Sequence, residues 1–124
     1  MRDSNKEPAP APNECDAPLN YEEALERMGN DREVYLEIAR FFADNLPASL
    51  QLLVSALNNN SAEEARRFAH SLKSNCATVG AEELREQCYT LEVLCRNGDL
   101  EKARACYSAL VPRLMCLRDK LLAL

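Results

Sequence analysis

From Asp31 to the last residue, apolar side chains recur in steps of three and four, and this spacing constrains the fold more than any other feature of the chain. At about 3.6 residues per turn, positions so spaced share one face of an α-helix. No stretch shows the period of two that a half-buried strand requires. The three glycines, Gly29, Gly80 and Gly98, fall behind the apolar runs rather than within them. A glycine in that place can take the left-handed turn that ends a helix. The 124 residues suffice for a single domain with one core. An apolar content of 47%, rich in Leu and Ala and without Trp, fits a helical globular domain.

The punctuation divides the chain into five helices. Residues 1–18, rich in Pro, Ala and charge and without periodicity, are expected to form a tail or linker. Structure is expected from residue 19. Asn20 and Glu23 have the spacing of an N-cap pair, Leu19 and Ala24 could form a weak hydrophobic staple, and Gly29 is placed to end a short helix. A second helix is expected from about residue 31, with Val34, Ile38, Phe41, Leu46, Leu50, Leu53 and Leu57 as its apolar stripe. Pro47 lies inside that run, where it removes a backbone donor and should kink the helix or divide it. Ser61 with Glu64 predicts a capping box for a third helix over residues 62–78, closed by Gly80. The fourth, over residues 81–96, should bury Leu84, Cys88, Leu91 and Cys95. Asp99 can cap the fifth, whose stripe is Ala103, Tyr107, Leu110, Leu114, Leu117 and Leu121, with a bend expected near Pro112. Four substantial amphipathic helices with short connections predict an all-α fold, an antiparallel up-down four-helix bundle over residues 19–124 with a short additional N-terminal helix.

Charge and cysteines narrow the function. A net charge of −5 argues against nucleic acid as the main partner, since phosphate binding needs a surplus of Lys and Arg. No apolar run approaches the roughly 18 residues of a membrane span, so no membrane contact is expected. The first twenty residues have no apolar export-signal core, which predicts a cytoplasmic protein with reduced thiols. The six cysteines, Cys15, Cys76, Cys88, Cys95, Cys106 and Cys116, include no C-x-x-C pair, and one histidine is too few to help them hold zinc. Four of them fall within helical patterns as small buried apolar residues. Nucleotide-binding loops of the G-x-x-x-x-G-K-[ST] and G-x-G-x-x-G kinds are absent, and no compact group of carboxylates suggests a catalytic magnesium. The chain is therefore not expected to draw phosphoryl groups from ATP itself.

The single histidine, His70, lies in RRFAHSLKSNCATVGAEEL, residues 66–84. Ala65, Phe68, Ala69, Leu72, Cys76 and Val79 form the apolar stripe of this helix. At roughly 100° per residue, His70 falls about 150° from the centre of that stripe and should face solvent. Arg66 and Lys73 flank it on one side and Arg67 on the other, while Ser74 and Ala77 lie one and two turns further along nearly the same line. A dianionic group on the imidazole would find Lys73 one turn away as a flexible counter-charge. The small side chains of Ser74 and Ala77 would let another protein come close. Spacing alone leaves two readings open, a chemical histidine and a plain surface one among solubilising bases.

AHSLKSNCATVGA closely resembles the signature of histidine-containing phosphotransfer (HPt) domains, approximately A-H-x-L-K-G/S-x-x-x-x-x-G-A. The segment ALERMGNDREVYLEIARFFADNLPASLQLL is similar to the opening of that family, including the proline within its long helix, and the likeness runs from about residue 19 to the end. The resemblance implies a four-helix bundle and a phosphorelay function, with His70 as the phosphoacceptor and Lys73 as the lysine that helps hold the phosphoryl group. Ser74 stands where many members have Gly, a small position that admits the partner. Glu92 stands where many members carry Gln or Glu to hydrogen-bond the ring, so it would orient the imidazole with Nε2 outward.

The implied partners are response-regulator receiver domains and a hybrid sensor histidine kinase. The receiver would provide the acceptor aspartate and the magnesium, so this chain would need no cofactor of its own. Arg66, Arg67, Ser74 and Ala77 are the expected partner-binding residues, and the resemblance implies a monomer. Transfer would be reversible, with the chain an intermediate rather than an enzyme. Two other classes stay in view: a bundle that binds a partner without chemistry, which would tolerate loss of His70, and a redox or metal-binding helical protein, which would use the cysteines. Glu92 also has a bland alternative, a solvent-facing carboxylate paired with Arg96 four residues on.

Overall fold

The computed structural model describes residues 17–124. Nearly all of the expected tail, and Cys15 within it, lies outside the described residues. Among these there are five helices and no strand: α1 (Tyr21–Arg27), α2 (Arg32–Asn58), α3 (Ala62–Val79), α4 (Glu82–Arg96) and α5 (Leu100–Leu122). Helices α2 to α5 form a ring in which each packs on its sequence neighbours and α5 closes back on α2. Their connections are short, so successive helices run antiparallel. The most extensive contact is between α3 and α4, the pair that carries the site described below. No helix among the described residues is long and apolar enough to cross a membrane.

The core is aliphatic. Leu46, Leu53 and Leu57 of α2, Leu72 and Val79 of α3, Leu84 and Leu91 of α4, and Leu114 and Leu117 of α5 are fully buried. Each such side chain contributes about 1.5–3 kcal/mol relative to exposure. The fourth helix buries Leu84, Cys88, Leu91 and Cys95 as its spacing predicts.

Two local expectations need correction, the phase of the first half of α2 and the caps at Ser61 and Asp99, and both prolines lie inside continuous helices. The N-terminal half of α2 buries Tyr35, Ala39 and Phe42, whereas Val34 is exposed and Phe41 is 71% exposed. Both sets have helical spacing, and packing selects the one about 100° round from the expected stripe. Pro47 does not divide α2, which is a single helix of 27 residues. The burial of Leu46 and Leu50 on either side of it outweighs the donor it lacks. Pro112 likewise lies within an unbroken α5. Ser61 and Asp99 occupy N-cap positions, but neither side chain makes a capping hydrogen bond. The caps that do form are at Asn20, whose Oδ1 accepts from the Glu23 backbone N–H at 3.2 Å while its amide donates to the Glu23 carboxylate, and at Asp31, whose Oδ1 accepts from the Val34 N–H at 3.2 Å.

One end of α3 is clamped by α1 and α2. Gly80 has φ of +95° and ends α3 in the left-handed region. The Asn20 N–H donates to its carbonyl at 2.9 Å, and a Cβ on Gly80 would meet the Asn20 oxygen at 2.5 Å. Only glycine satisfies both the backbone angle and the close approach. Beside this turn the Tyr35 hydroxyl donates to the Val79 carbonyl at 2.8 Å, and Tyr21 packs edge-on against Tyr35 with ring centroids 4.9 Å apart. Burial, with the neighbouring Tyr21 adding to it, pushes the Tyr35 phenol up to about 12. Arg27 reaches from α1 to donate to the Ala77 carbonyl at 2.8 Å, satisfying one of the carbonyls left open at the helix end. These contacts fix α3 lengthwise and so fix the height of His70 along the bundle.

Candidate functional site

His70 stands midway along α3 with its apolar neighbours Ala69 and Leu72 buried against the core. Its own side chain is 52% exposed, as the helical projection requires. The ring leans toward α4, where Nδ1 lies 3.0 Å from Oε2 of Glu92. Glu92 is the only buried charged residue among those described, at 5% exposure. On a helical projection Glu92 falls at the border of the apolar stripe of α4, and in the structure it is buried with that stripe. Pairing with Arg96 is thereby overturned, because the carboxylate turns inward to α3.

A buried carboxylate is costly unless paired. Here two groups of α3 face it. The Lys73 ammonium is 3.0 Å from Oε1, and the His70 ring is on Oε2. Burial by itself would raise the Glu92 carboxyl, but the Lys73 and His70 contacts and charges outweigh it and hold the group below the ordinary value of a glutamate. Glu92 is therefore an anion at neutral pH, and an anion can only accept. The hydrogen on the ring must then be on Nδ1, which leaves the Nε2 lone pair on the exposed side.

Lys73 is held differently from His70. Its contact with Oε1 is an ion pair that lacks hydrogen-bond alignment. The ammonium also sits over the ring of Tyr89, 5.1 Å from the centroid. Tyr89 was not singled out by its sequence. It lies one turn before Glu92 on α4, as Lys73 lies one turn after His70 on α3, so the antiparallel register of the two helices makes two facing pairs. The spacing was legible, but the register that gives it meaning belongs to the packing.

The four expected partner-binding residues surround the ring unevenly. Arg66 is tied to Glu63 by two bonds, Nε to Oε1 at 3.2 Å and Nη2 to Oε2 at 2.7 Å, and this bonding holds the Glu63 carboxyl below its usual range. Arg67 is exposed on the opposite flank. Ser74 is exposed one turn along, its carbonyl accepting from the Thr78 hydroxyl at 2.9 Å. Ala77 is half-buried, and the Arg27 guanidinium at its carbonyl adds a base to this rim that the α3 sequence alone did not reveal. The surface along His70, Ser74 and Ala77 is thus low, with cations at its edges.

The cysteines stand apart from this arrangement. Cys76, Cys88, Cys95 and Cys116 are buried and Cys106 is half-buried. Burial pushes the Cys95 thiol up to about 11 and Cys106 upward, and a contact with Cys88 together with burial raises Cys76. Thiols so placed are poor nucleophiles, since the thiolate is the reactive form. Among the described residues, no three or more His, Cys, Asp or Glu side chains are grouped to hold a metal ion.

A half-exposed imidazole with a free lone pair, a buried anion behind it and a cation beside it can accept and release an anionic electrophile. The model of one protein family, the Hpt domain, matches residues 37–124, well over half of the chain. No curated protein and no solved structure matches it.

Proposed function

The chain belongs to the Hpt domain family, whose members are histidine phosphotransfer intermediates of two-component phosphorelays, and from that premise we propose that His70 carries the phosphoryl group. Hpt domains exchange phosphoryl groups with receiver domains. The observation that carries the assignment is the Nδ1 contact to buried Glu92, because it leaves Nε2 as the one outward nucleophile of the ring.

The step balances without moving a proton. The Nε2 lone pair attacks the phosphorus of a receiver aspartyl phosphate. The N–P bond forms as the P–O bond to the aspartate breaks, and the electron pair of that bond leaves on the receiver carboxylate. Nδ1 keeps its hydrogen, so the product ring is a phosphoimidazolium whose positive charge faces the Glu92 carboxylate. In the reverse direction the N–P electron pair returns to Nε2 and the ring leaves neutral. Lys73, with its flexible stem, swings from Oε1 to the phosphoryl oxygens and offsets their charge. Transfer of this kind depends mostly on positioning and charge neutralisation, which two docked proteins can share.

In this reading magnesium comes with the receiver, and this chain supplies the nucleophile, Lys73 and Glu92. The receiver docks over Ser74 and Ala77 between Arg66 and Arg67. A hybrid sensor histidine kinase feeds the relay, and the domain works as a cytoplasmic monomer. Incubation with a receiver loaded from acetyl phosphate, followed by mass and acid-lability analysis, tests the assignment. One acid-labile, alkali-stable phosphoryl group on His70, and none on the His70→Gln variant, is expected. Labelling that survives in His70→Gln overturns it.

A further inference from the structure

We propose that Tyr89 is a positioning residue for phosphoryl transfer, keeping the Lys73 ammonium within reach of His70; the inference rests on the assignment of His70 as phosphoacceptor. Three observations carry it. The Lys73 ammonium lies over the Tyr89 ring at 5.1 Å from its centroid. Its other contact, with Glu92, is an ion pair without hydrogen-bond alignment, and so does not fix its direction. The Lys73 side chain is 21% exposed although it belongs to the outward half of α3, while Tyr89 beside it is 46% exposed.

A lysine on the surface of a helix has a four-carbon stem with many rotamers, and most of them carry the ammonium away into water. Here the ring supplies a wall. A cation over the face of an aromatic ring is attracted by its quadrupole, and the attraction tolerates sliding across the face in a way a hydrogen bond does not. The ammonium can therefore leave Oε1 for a phosphoryl oxygen on Nε2 while the ring still confines it. Glu92 holds the charge in the resting protein, and Tyr89 limits where that charge can go. No covalent role is assigned to the tyrosine, and its hydroxyl is not needed for this work.

The inference predicts that the ring, acting through Lys73, sets part of the rate. Labelling of His70 by phosphoramidate reads this without any receiver, since Nε2 displaces ammonia from the small donor and docking plays no part. Tyr89→Leu is expected to slow labelling about two- to fivefold, the range a surface cation–π contact supports. Tyr89→Phe should restore the rate. In a Lys73→Ala background, Tyr89→Leu should change nothing further. A Phe variant as slow as Leu, or a Leu effect that persists without Lys73, overturns the proposal. Labelled wild type with no difference among the variants overturns it alone, whereas wild type that takes no phosphoryl group at His70 overturns the site assignment as well.

Discussion

Replacing Glu92 by Gln preserves the shape of the side chain and an oxygen that can accept from Nδ1–H, and removes only the charge. The structure makes the consequence calculable. The carboxylate is buried at 5% exposure and lies 3.0 Å from Nδ1, so the bond to the ring is charge-assisted and little screened. A hydrogen bond to a charged group is worth about 1.5–3 kcal/mol, a neutral one about 0.5–1.5 kcal/mol. The difference, about 1 kcal/mol or somewhat more, falls on the phosphoimidazolium, because that is the state in which the ring itself is positive. Release requires a hydrogen on Nδ1, so that the ring leaves as neutral imidazole when the N–P bond breaks, and the carboxylate raises the share of phosphorylated rings that carry it. Glu92→Gln should therefore lengthen the life of phosphorylated His70 and slow donation to a receiver by about 5- to 10-fold. The amide must also turn one of its faces to the Lys73 ammonium, now without its ion pair. The assay is decay of the isolated phosphoprotein on phosphate-affinity gels across a pH series, alongside transfer to a receiver under single turnover. The pH at which release accelerates should fall in the variant. A phosphohistidine of unchanged or shorter life, in a variant whose unphosphorylated ring still carries its hydrogen on Nδ1 by nitrogen NMR, would refute the reasoning.

Lys73→Ala should slow transfer about fivefold or more without abolishing it, as expected for loss of one partly buried counter-charge; single-turnover kinetics identical to wild type would make the lysine a bystander. Ser74→Tyr should weaken receiver binding in calorimetry while phosphoramidate still labels His70, and unaltered affinity would remove Ser74 from the docking face. Gly80→Ala should cost about 2 kcal/mol or more in urea unfolding, because φ of +95° strains a side chain and its Cβ falls 2.5 Å from the Asn20 oxygen; a loss under about 0.5 kcal/mol would mean that α1 yields without consequence. Glu92 has its acidity increased by folding, so the stability it contributes is fully present above the unfolded-state value of about 4.3 and is lost as pH falls through its lower native value. Below about pH 4.3 the wild type should lose stability more steeply than Glu92→Gln, and parallel acid profiles would contradict this.

Helical periodicity carried the number of helices and most of their limits, because Gly29, Gly80 and Gly98 fall directly behind the apolar runs. It could not carry the phase of α2. Val34, Ile38 and Phe41 make one helical stripe, and Tyr35, Ala39 and Phe42 make another about 100° away. Nothing local ranks them, and only the fit against the other helices decides for the second. Division of the helix at Pro47 is excluded only by packing, since the local loss of a donor is visible in the sequence while the burial that outweighs it is not. The exposure of His70 was legible, because a single helix face determines it. Glu92 and Tyr89 were less so. A glutamate at the edge of an apolar stripe is worth burying only if cations meet it, and those cations belong to α3, whose register against α4 no single-helix projection contains.

That register also explains why the site is compact. His70 faces Glu92 and Lys73 faces Tyr89 across the same two helices, so one antiparallel contact sets imidazole, anion, cation and aromatic ring together. The anion is what couples them. With Glu92 ionised, the ring must hold its hydrogen at Nδ1, Lys73 has a place to rest, and the burial cost of the carboxylate is offset by both. Phosphorylation would change the balance from within: the ring becomes positive, its attraction to Glu92 grows, and Lys73 can be spared for the phosphoryl oxygens. The same carboxylate then favours release of the group, because the leaving ring is neutral only while Nδ1 keeps its hydrogen. A site built this way would suit a carrier more than a store, since on the proposed assignment the charge that prepares His70 to accept a phosphoryl group would also prepare it to give that group up.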